Sequence, residues 1–332
     1  MTRISLLSFV CLLFLLSGCK NETLNLPEQA EDAVLVSHLK DSGLSFINKD
    51  TERVLGSVKL DSAIAAMVRI HKSEIAFTSK NEHVLYLLNT KSGKLKKWGD
   101  VGSGVNELIY SPENHQVYLA DSDNNQIQVF DTEREKVTVK IPVGKFPLSM
   151  TIDHKKNLLY VLNQQSSSIH VINLNTYKVI DEFPTPHLPE GLLLKGSKLF
   201  VGGHGPVHGK LNKYVYIFDP STGEEVGEVK VGLMPVSFYS PSDSSEVYVV
   251  CHGSSELYKF SVADPSETHK LKVGTNPFEV TGSDKRIYVS SMDSNSLSII
   301  NKDSFQITSK INISGGPFSI IEGGIADEHS GR

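Results

Sequence analysis

The sequence predicts an all-β fold, a seven-bladed β-propeller of four-stranded antiparallel blades, closed by pairing of N-terminal and C-terminal strands in one blade. Three observations predict it. A self-similar unit of about 40 residues recurs from about residue 60 to the end. Inside each unit, apolar and polar residues alternate with period two between clusters of Asn, Ser, Asp and Gly, and no stretch after the leader has a helical period. The two chain ends are incomplete in complementary ways.

Each unit opens on an apolar residue, Gly, two residues and Pro. This signature stands at Val143-Gly144 with Pro147, Val231-Gly232 with Pro235 and Val273-Gly274 with Pro277. It degenerates to Ile313 with Pro317, and Pro189 marks a further weakened copy. A second marker follows at Tyr118-Leu119, Tyr160-Val161, Phe200-Val201, Tyr248-Val249 and Tyr288-Val289. Next come a polar loop (121–126, 163–168 and 291–296) and a short alternating strand (127–131, 169–173, 215–219 and 297–301). Such a sheet cannot bury both faces by itself, so units must stack, and radial closure removes exposed edges.

Six full blades begin near Ala63, Gly104, Phe146, Pro189, Pro235 and Pro277. After Pro317 one strand remains. Residues 33–60 lack a first strand but carry the later three, with 44–48 aligning on 85–89. The two ends together make the seventh blade, which sets the propeller at 33–324. The fourth unit carries an insertion at 202–213, and 325–332 reads as a frayed tail.

Ahead of the repeats lie Arg3, an apolar run from Ile4 to Leu16, and Ser17-Gly18 before Cys19. The run has the length of a secretory h-region and falls short of the roughly 20 residues of a membrane-spanning helix. Leu16-Ser17-Gly18-Cys19 resembles a bacterial lipobox. That resemblance implies a lipoprotein signal peptide over 1–18, with cleavage before Cys19 and acylation of Cys19, palmitate included. Residues 19–32 then read as the lipidated Cys and a flexible polar stalk. The expected location is extracytoplasmic: the outer leaflet of the cell membrane, or an outer membrane in a host that has one, since Lys20 and not Asp follows Cys19.

With Cys11 removed and Cys19 acylated, Cys251 stands alone, no intramolecular disulfide forms, and Cys251 reads as a small buried strand residue. The net charge of −5 carries no nucleic-acid footprint, and Lys94, Lys96 and Lys97 read as a solvated strand edge. A monomer is expected.

The Gly-x-x-Pro turn, the Tyr-Val pair and the apolar strand ending in Asp or Asn, fullest over 143–180, resemble the YVTN-repeat seven-bladed β-propeller proteins, in lipoprotein form. The resemblance covers nearly the whole mature chain. It implies the fold firmly; the function it implies spans secreted binding proteins, lactonase-like enzymes, and haem and copper enzymes. No Cys-x-x-Cys-His is present, so covalent haem is not expected.

Ligands in this family usually bind where the inter-blade loops and the loops joining second and third strands open around the channel. Repeat alignment places His204 and His252 at equivalent positions there, with His208 in the insertion and His187 in the preceding turn. Four of the twelve histidines on one sector suggest imidazole ligands for a divalent metal such as Zn or Cu; the alternative is four solvated loop histidines. Glu107 and Glu279, two positions after the turn proline in blades two and six, are channel-lining candidates for a cation such as Ca²⁺. No G-x-S-x-G is present, and the glycines at 202–209 follow a strand without opening a helix.

The resulting expectation is a membrane-anchored binding module of the cell envelope. It would present the channel face to an envelope protein, glycan or small ligand. The alternative is a metal-dependent, lactonase-like hydrolase using the histidines or the carboxylates.

Overall fold

A computed structural model describes residues 22–206 and 208–322. The leader, Cys19 and the tail at 325–332 lie outside the described residues. The described chain forms seven antiparallel sheets. Blades 1 to 6 occupy 64–100, 105–142, 147–184, 189–230, 235–272 and 277–312, and blade 7 joins Pro317–Ile321 to the strands of 34–59. The innermost strands are Ile64–His71, Val105–Ser111, Pro147–Asp153, Pro189–Lys195, Pro235–Tyr239, Pro277–Gly282 and Pro317–Ile321. Each touches the next, and the last touches the first. The ring is closed.

The alternation seen in the sequence becomes seven apolar layers, one at each blade-to-blade interface. Leu35 and Phe46 of blade 7 pack on Phe77 of blade 1, for example, and Phe200 of blade 4 packs among Val247, Val249 and Phe260 of blade 5. The repeated aromatic marker is the largest plug in these layers: Tyr118, Tyr160, Tyr248 and Tyr288 are at most 1 % exposed. Burying each such ring contributes about 1.5–3 kcal/mol, and closure supplies both faces of every sheet with a partner.

The turn signature has a backbone cause. The residue before the proline is left-handed, with φ of 58° at Phe146, 49° at Leu188, 59° at Met234 and 58° at Asn276, and glycine holds that place at Gly104 and Gly316. This conformation aims its carbonyl at the residue that follows the second strand. Gln164, His204, His252 and Met292 donate their N–H groups to Phe146, Leu188, Met234 and Asn276 at 2.9–3.2 Å, and Ser122 and Leu39 donate to Gly104 and Gly316. Every blade therefore presents one side chain at the same point on the channel face.

The clasp matches the expectation from the two ends. Leu35 pairs with Ile321, Val36 with Ile320 and His38 with Pro317. Two arginines tie the clasp to its neighbours: Arg286 Nε lies 3.0 Å from Glu52 Oε1, and Arg69 Nε donates to the Glu322 carbonyl at 3.0 Å.

The stalk expected over 19–32 is not a stalk over its described residues. Glu22–Thr23 adds a fifth strand to blade 1 by pairing with Leu95 and Lys94, and the Leu24 N–H donates to the Gly93 carbonyl at 2.8 Å. Leu24 and Leu26 pack against the blade 7–blade 1 layer, and Ala30 and Ala33 are buried within it. Four apolar side chains among polar ones escape a periodicity search, yet they suffice to lay the segment down. Cys251 is fully buried as expected, and burial pushes its thiol up to about 12, which leaves it unreactive near neutral pH.

Candidate functional site at the channel mouth

The equivalent positions described above bring His204 and His252 side by side on adjacent blades, their rings 5.6 Å apart. His204 directly follows the second strand of blade 4, Lys198–Gly203. His252 opens a single 3₁₀ turn, His252–Ser254, in blade 5. Glu190, immediately after the turn proline of blade 4, places Oε2 3.0 Å from His204 Nε2. The residues at the same turn position in blades 6 and 7 are Phe278 and Phe318. The edge of Phe278 meets His252 at 5.8 Å and 90°, and Phe318 lies 4.2 Å from Phe278, centroid to centroid.

The result is a continuous ladder, Glu190, His204, His252, Phe278, Phe318, running across four neighbouring blades from a charged end to an aromatic end. Asp293 sits beside it, accepting from Asn276 Nδ2 at 3.0 Å and pairing with Lys40 Nζ at 3.3 Å.

The two imidazoles are tuned in opposite directions. The hydrogen bond to Glu190 raises the His204 pKa above its ordinary value, against a smaller desolvation effect. Burial lowers that of His252, and the neighbouring His204 adds to the lowering. His252 therefore stays neutral near pH 7 beside an imidazole that holds its proton longer. Its Nδ1 is buried with no hydrogen-bond partner among the described residues.

A pH prediction follows from the sign of the His204 shift. Because the folded pKa is raised, the His204–Glu190 pair stabilises the fold fully below the unfolded value near 6.5, and that contribution fades as pH rises through the folded value. NMR titration of the histidine Cε1–H signals is expected to show His204 titrating later than His252, and Glu190→Gln is expected to bring His204 back down. Coincident titration of the two in the wild type would contradict the ladder.

The four-histidine cluster expected from alignment does not form. His187 is exposed in the blade 3–blade 4 turn, with Nδ1 3.4 Å from Ser167 Oγ, and His208 is exposed in the insertion. Alignment fixes a residue's place along a repeat but not the path of an insertion. Here the Asn212 N–H donates to the His204 carbonyl at 3.0 Å, and the insertion closes back on itself. Among the described residues no three His, Cys, Asp or Glu side chains come together as a metal-binding group. Glu107 and Glu279 do occupy the same register, opposite Ala120 and Ser290, with Glu279 buried and Glu107 half-buried, but on blades two and six they stand apart around the ring.

One arrangement had no signal in the sequence. Asp41 Oδ1 lies 2.9 Å from His38 Nδ1, and His38 Nε2 lies 2.8 Å from Ser45 Oγ, the connectivity of a hydrolase triad. Ser45 is only 4 % exposed, which denies a substrate carbonyl access to its hydroxyl. The same place in blade 2 is held by Asp121, which accepts from Gln126 and Gln128 at 2.7 and 2.8 Å. Both networks fasten the second strand to the third.

A closed ring of seven four-stranded blades, with a polar-to-aromatic ladder at one mouth, defines a seven-bladed β-propeller protein. Comparison with known proteins agrees: residues 59–179 match the family model "Lactonase, 7-bladed beta-propeller". Two curated relatives, each called protein YncE and uncharacterised, from Salmonella typhimurium strain LT2 and Salmonella typhi, are 23% identical over 184 residues. That match covers 52% of this chain and 52% of each relative, so the chain spans about half the length of the curated relatives it matches. Among solved structures, the hydrazine synthase of Kuenenia stuttgartiensis superposes with a TM-score of 0.72 at 15% identity, over 85% of this chain and 97% of that one. A functionally unknown protein from Desulfotomaculum acetoxidans gives 0.69 at 14% over 87% and 98%, and apo AztD from Citrobacter koseri gives 0.58 at 12% over 87% and 96%. At these identities the likeness is one of fold.

Proposed function

We propose that this chain is an extracytoplasmic propeller, held to a bacterial membrane by an acylated Cys19, that binds a ligand at the channel mouth. The observation that carries the binding reading is the ladder. Glu190 and the His204–His252 pair offer hydrogen bonds and charge at one end, and the tilted ring pair of Phe278 and Phe318 offers an aromatic surface at the other. Such a surface suits a small ligand, or a glycan or protein segment, that has one planar apolar face and one polar end. The leader and the Leu16-Ser17-Gly18-Cys19 run support the anchoring.

The test is a thermal-shift screen against aromatic carboxylates and oligosaccharides. A ligand is expected to raise the Tm of the wild type and to lose that effect in the double variant Phe278→Ala/Phe318→Ala. A ligand that protects both proteins equally would place binding elsewhere.

The second reading is a metal-dependent, lactonase-like hydrolase. The family match over 59–179 favours it and includes Glu107, but stops short of Glu190, His204, His252 and Glu279. Metal analysis of protein purified without a histidine tag, followed by His204→Ala and His252→Ala, separates the two readings. Stoichiometric metal lost on those substitutions would favour the hydrolase.

A further inference from the structure

Among the described residues, blade 1 differs from the other six blades in having a fifth strand on its outer edge. Residues Glu22–Thr23 pair with Lys94 and Leu95 of the outermost strand, Lys94–Asp100. The contact is built into the blade at Gly93. This residue is left-handed, with φ of 72°; the corresponding turn positions are held by Glu52, Glu135, Tyr177 and Phe305 at φ of 52–54° in four other blades and by Gly223, packed on Phe183, in blade 4. The turn conformation by itself therefore does not demand glycine. What does is the docked segment: a Cβ at Gly93 would lie 2.1 Å from the Leu24 carbonyl oxygen.

Only two residues separate Cys19 from Glu22. Even fully extended, that link reaches about 10 Å.

We propose that the outer edge of blade 1 is the surface this protein turns to the lipid headgroups. A diacylated Cys19 is drawn to the bilayer, and a link too short to act as a stalk holds the rim where Glu22 is paired against it. The channel axis then lies along the membrane, and the mouth with its ladder opens sideways, clear of the lipid. This orientation rests on the acylation of Cys19 proposed above.

The test uses the full-length protein expressed with its leader and reconstituted in phosphatidylcholine–phosphatidylglycerol vesicles that contain a headgroup nitroxide lipid. A thiol-reactive fluorophore is placed at Lys97→Cys on blade 1 or at Glu228→Cys on the far rim, both exposed positions; buried Cys251 does not compete. Quenching at residue 97 is expected to exceed that at 228 several-fold. In Gly93→Asn, which keeps a residue tolerant of the left-handed turn but collides with Leu24, the difference is expected to shrink while the protein still floats with the vesicles. Floating protein quenched equally at both positions would overturn the orientation alone. Protein that fails to float would overturn the acylation, and the orientation with it.

Discussion

Deletion of residues 317–332 is expected to abolish cooperative folding. The strand Pro317–Ile321 is the inner strand of blade 7 and supplies the strand pairing that joins the chain's two ends. It buries Ile320 to 3 % and Ile321 to 9 % exposure, in the layers facing blade 6 and blade 1 respectively. Two such side chains contribute about 1.5–3 kcal/mol each. Exposing the apolar faces of both flanking blades brings the loss to the order of 5–10 kcal/mol, the size of a domain's entire stability. Ile320→Ala alone is expected to cost about 2–5 kcal/mol. Urea unfolding followed through Trp98, the single tryptophan, reads this directly, because its ring meets Phe130 edge-on at 5.0 Å across the blade 1–blade 2 interface. A truncated chain that keeps the full-length transition would show that the ring does not need its clasp.

A steep loss of stability above pH 10 is the second large effect. Burial raises the hydroxyl pKa of Tyr118, Tyr160, Tyr248 and Tyr288, that of Tyr160 to about 12, and Glu246 pushes Tyr248 further in the same direction. In the unfolded chain these groups ionise near 10, so above that pH the unfolded state binds fewer protons and gains on the folded one. The contribution is intact below pH 10 and lost as pH climbs toward the folded values. Each tyrosine then weighs about 1.4 kcal/mol per pH unit, and four acting together weigh on the order of 5 kcal/mol per unit. Denaturation midpoints between pH 9 and 11.5, with tyrosinate absorbance recorded in parallel, test the prediction; a flat stability profile to pH 11 would refute it.

The four sites are not equivalent. Tyr248 donates to Glu246 Oε2 at 2.6 Å, whereas the Tyr160 hydroxyl is buried with no hydrogen-bond partner among the described residues. Tyr160→Phe is accordingly expected to be neutral or stabilising at pH 7, and Tyr248→Phe to cost about 1.5–3 kcal/mol because it removes a hydrogen bond to the Glu246 carboxylate, which then keeps Lys259 as its partner.

Legibility in the sequence divides along the same physical line as the predictions. The turn prolines, the Tyr-Val pairs and the alternating strands recur at a constant interval, so blade number, strand number and the clasp between residues 33–60 and Pro317 could all be read in advance. His204 and His252 were found as a pair because their repeats align. Their partners were missed. Glu190, Phe278 and Phe318 share one turn position, but a carboxylate in one blade and aromatic rings in two others leave no pattern to search for. His187 and His208 were grouped with His204 and His252 because a turn and an insertion were expected to open on the same sector; both are exposed, and among the described residues no group of three His, Cys, Asp or Glu side chains forms. The docking of Leu24, Leu26, Ala30 and Ala33 was hidden in a polar composition.

What the sequence by itself determined is the architecture. Sheets that are apolar on both faces, repeated seven times with a split last copy, have one economical arrangement, a ring that buries every face and joins its own ends. What only the tertiary structure decided is which side chains meet at the mouth and how residues 22–33 lie on blade 1. Those contacts join side chains of neighbouring blades, or a single segment to one edge, and no linear spacing records a distance that exists only after the ring has closed.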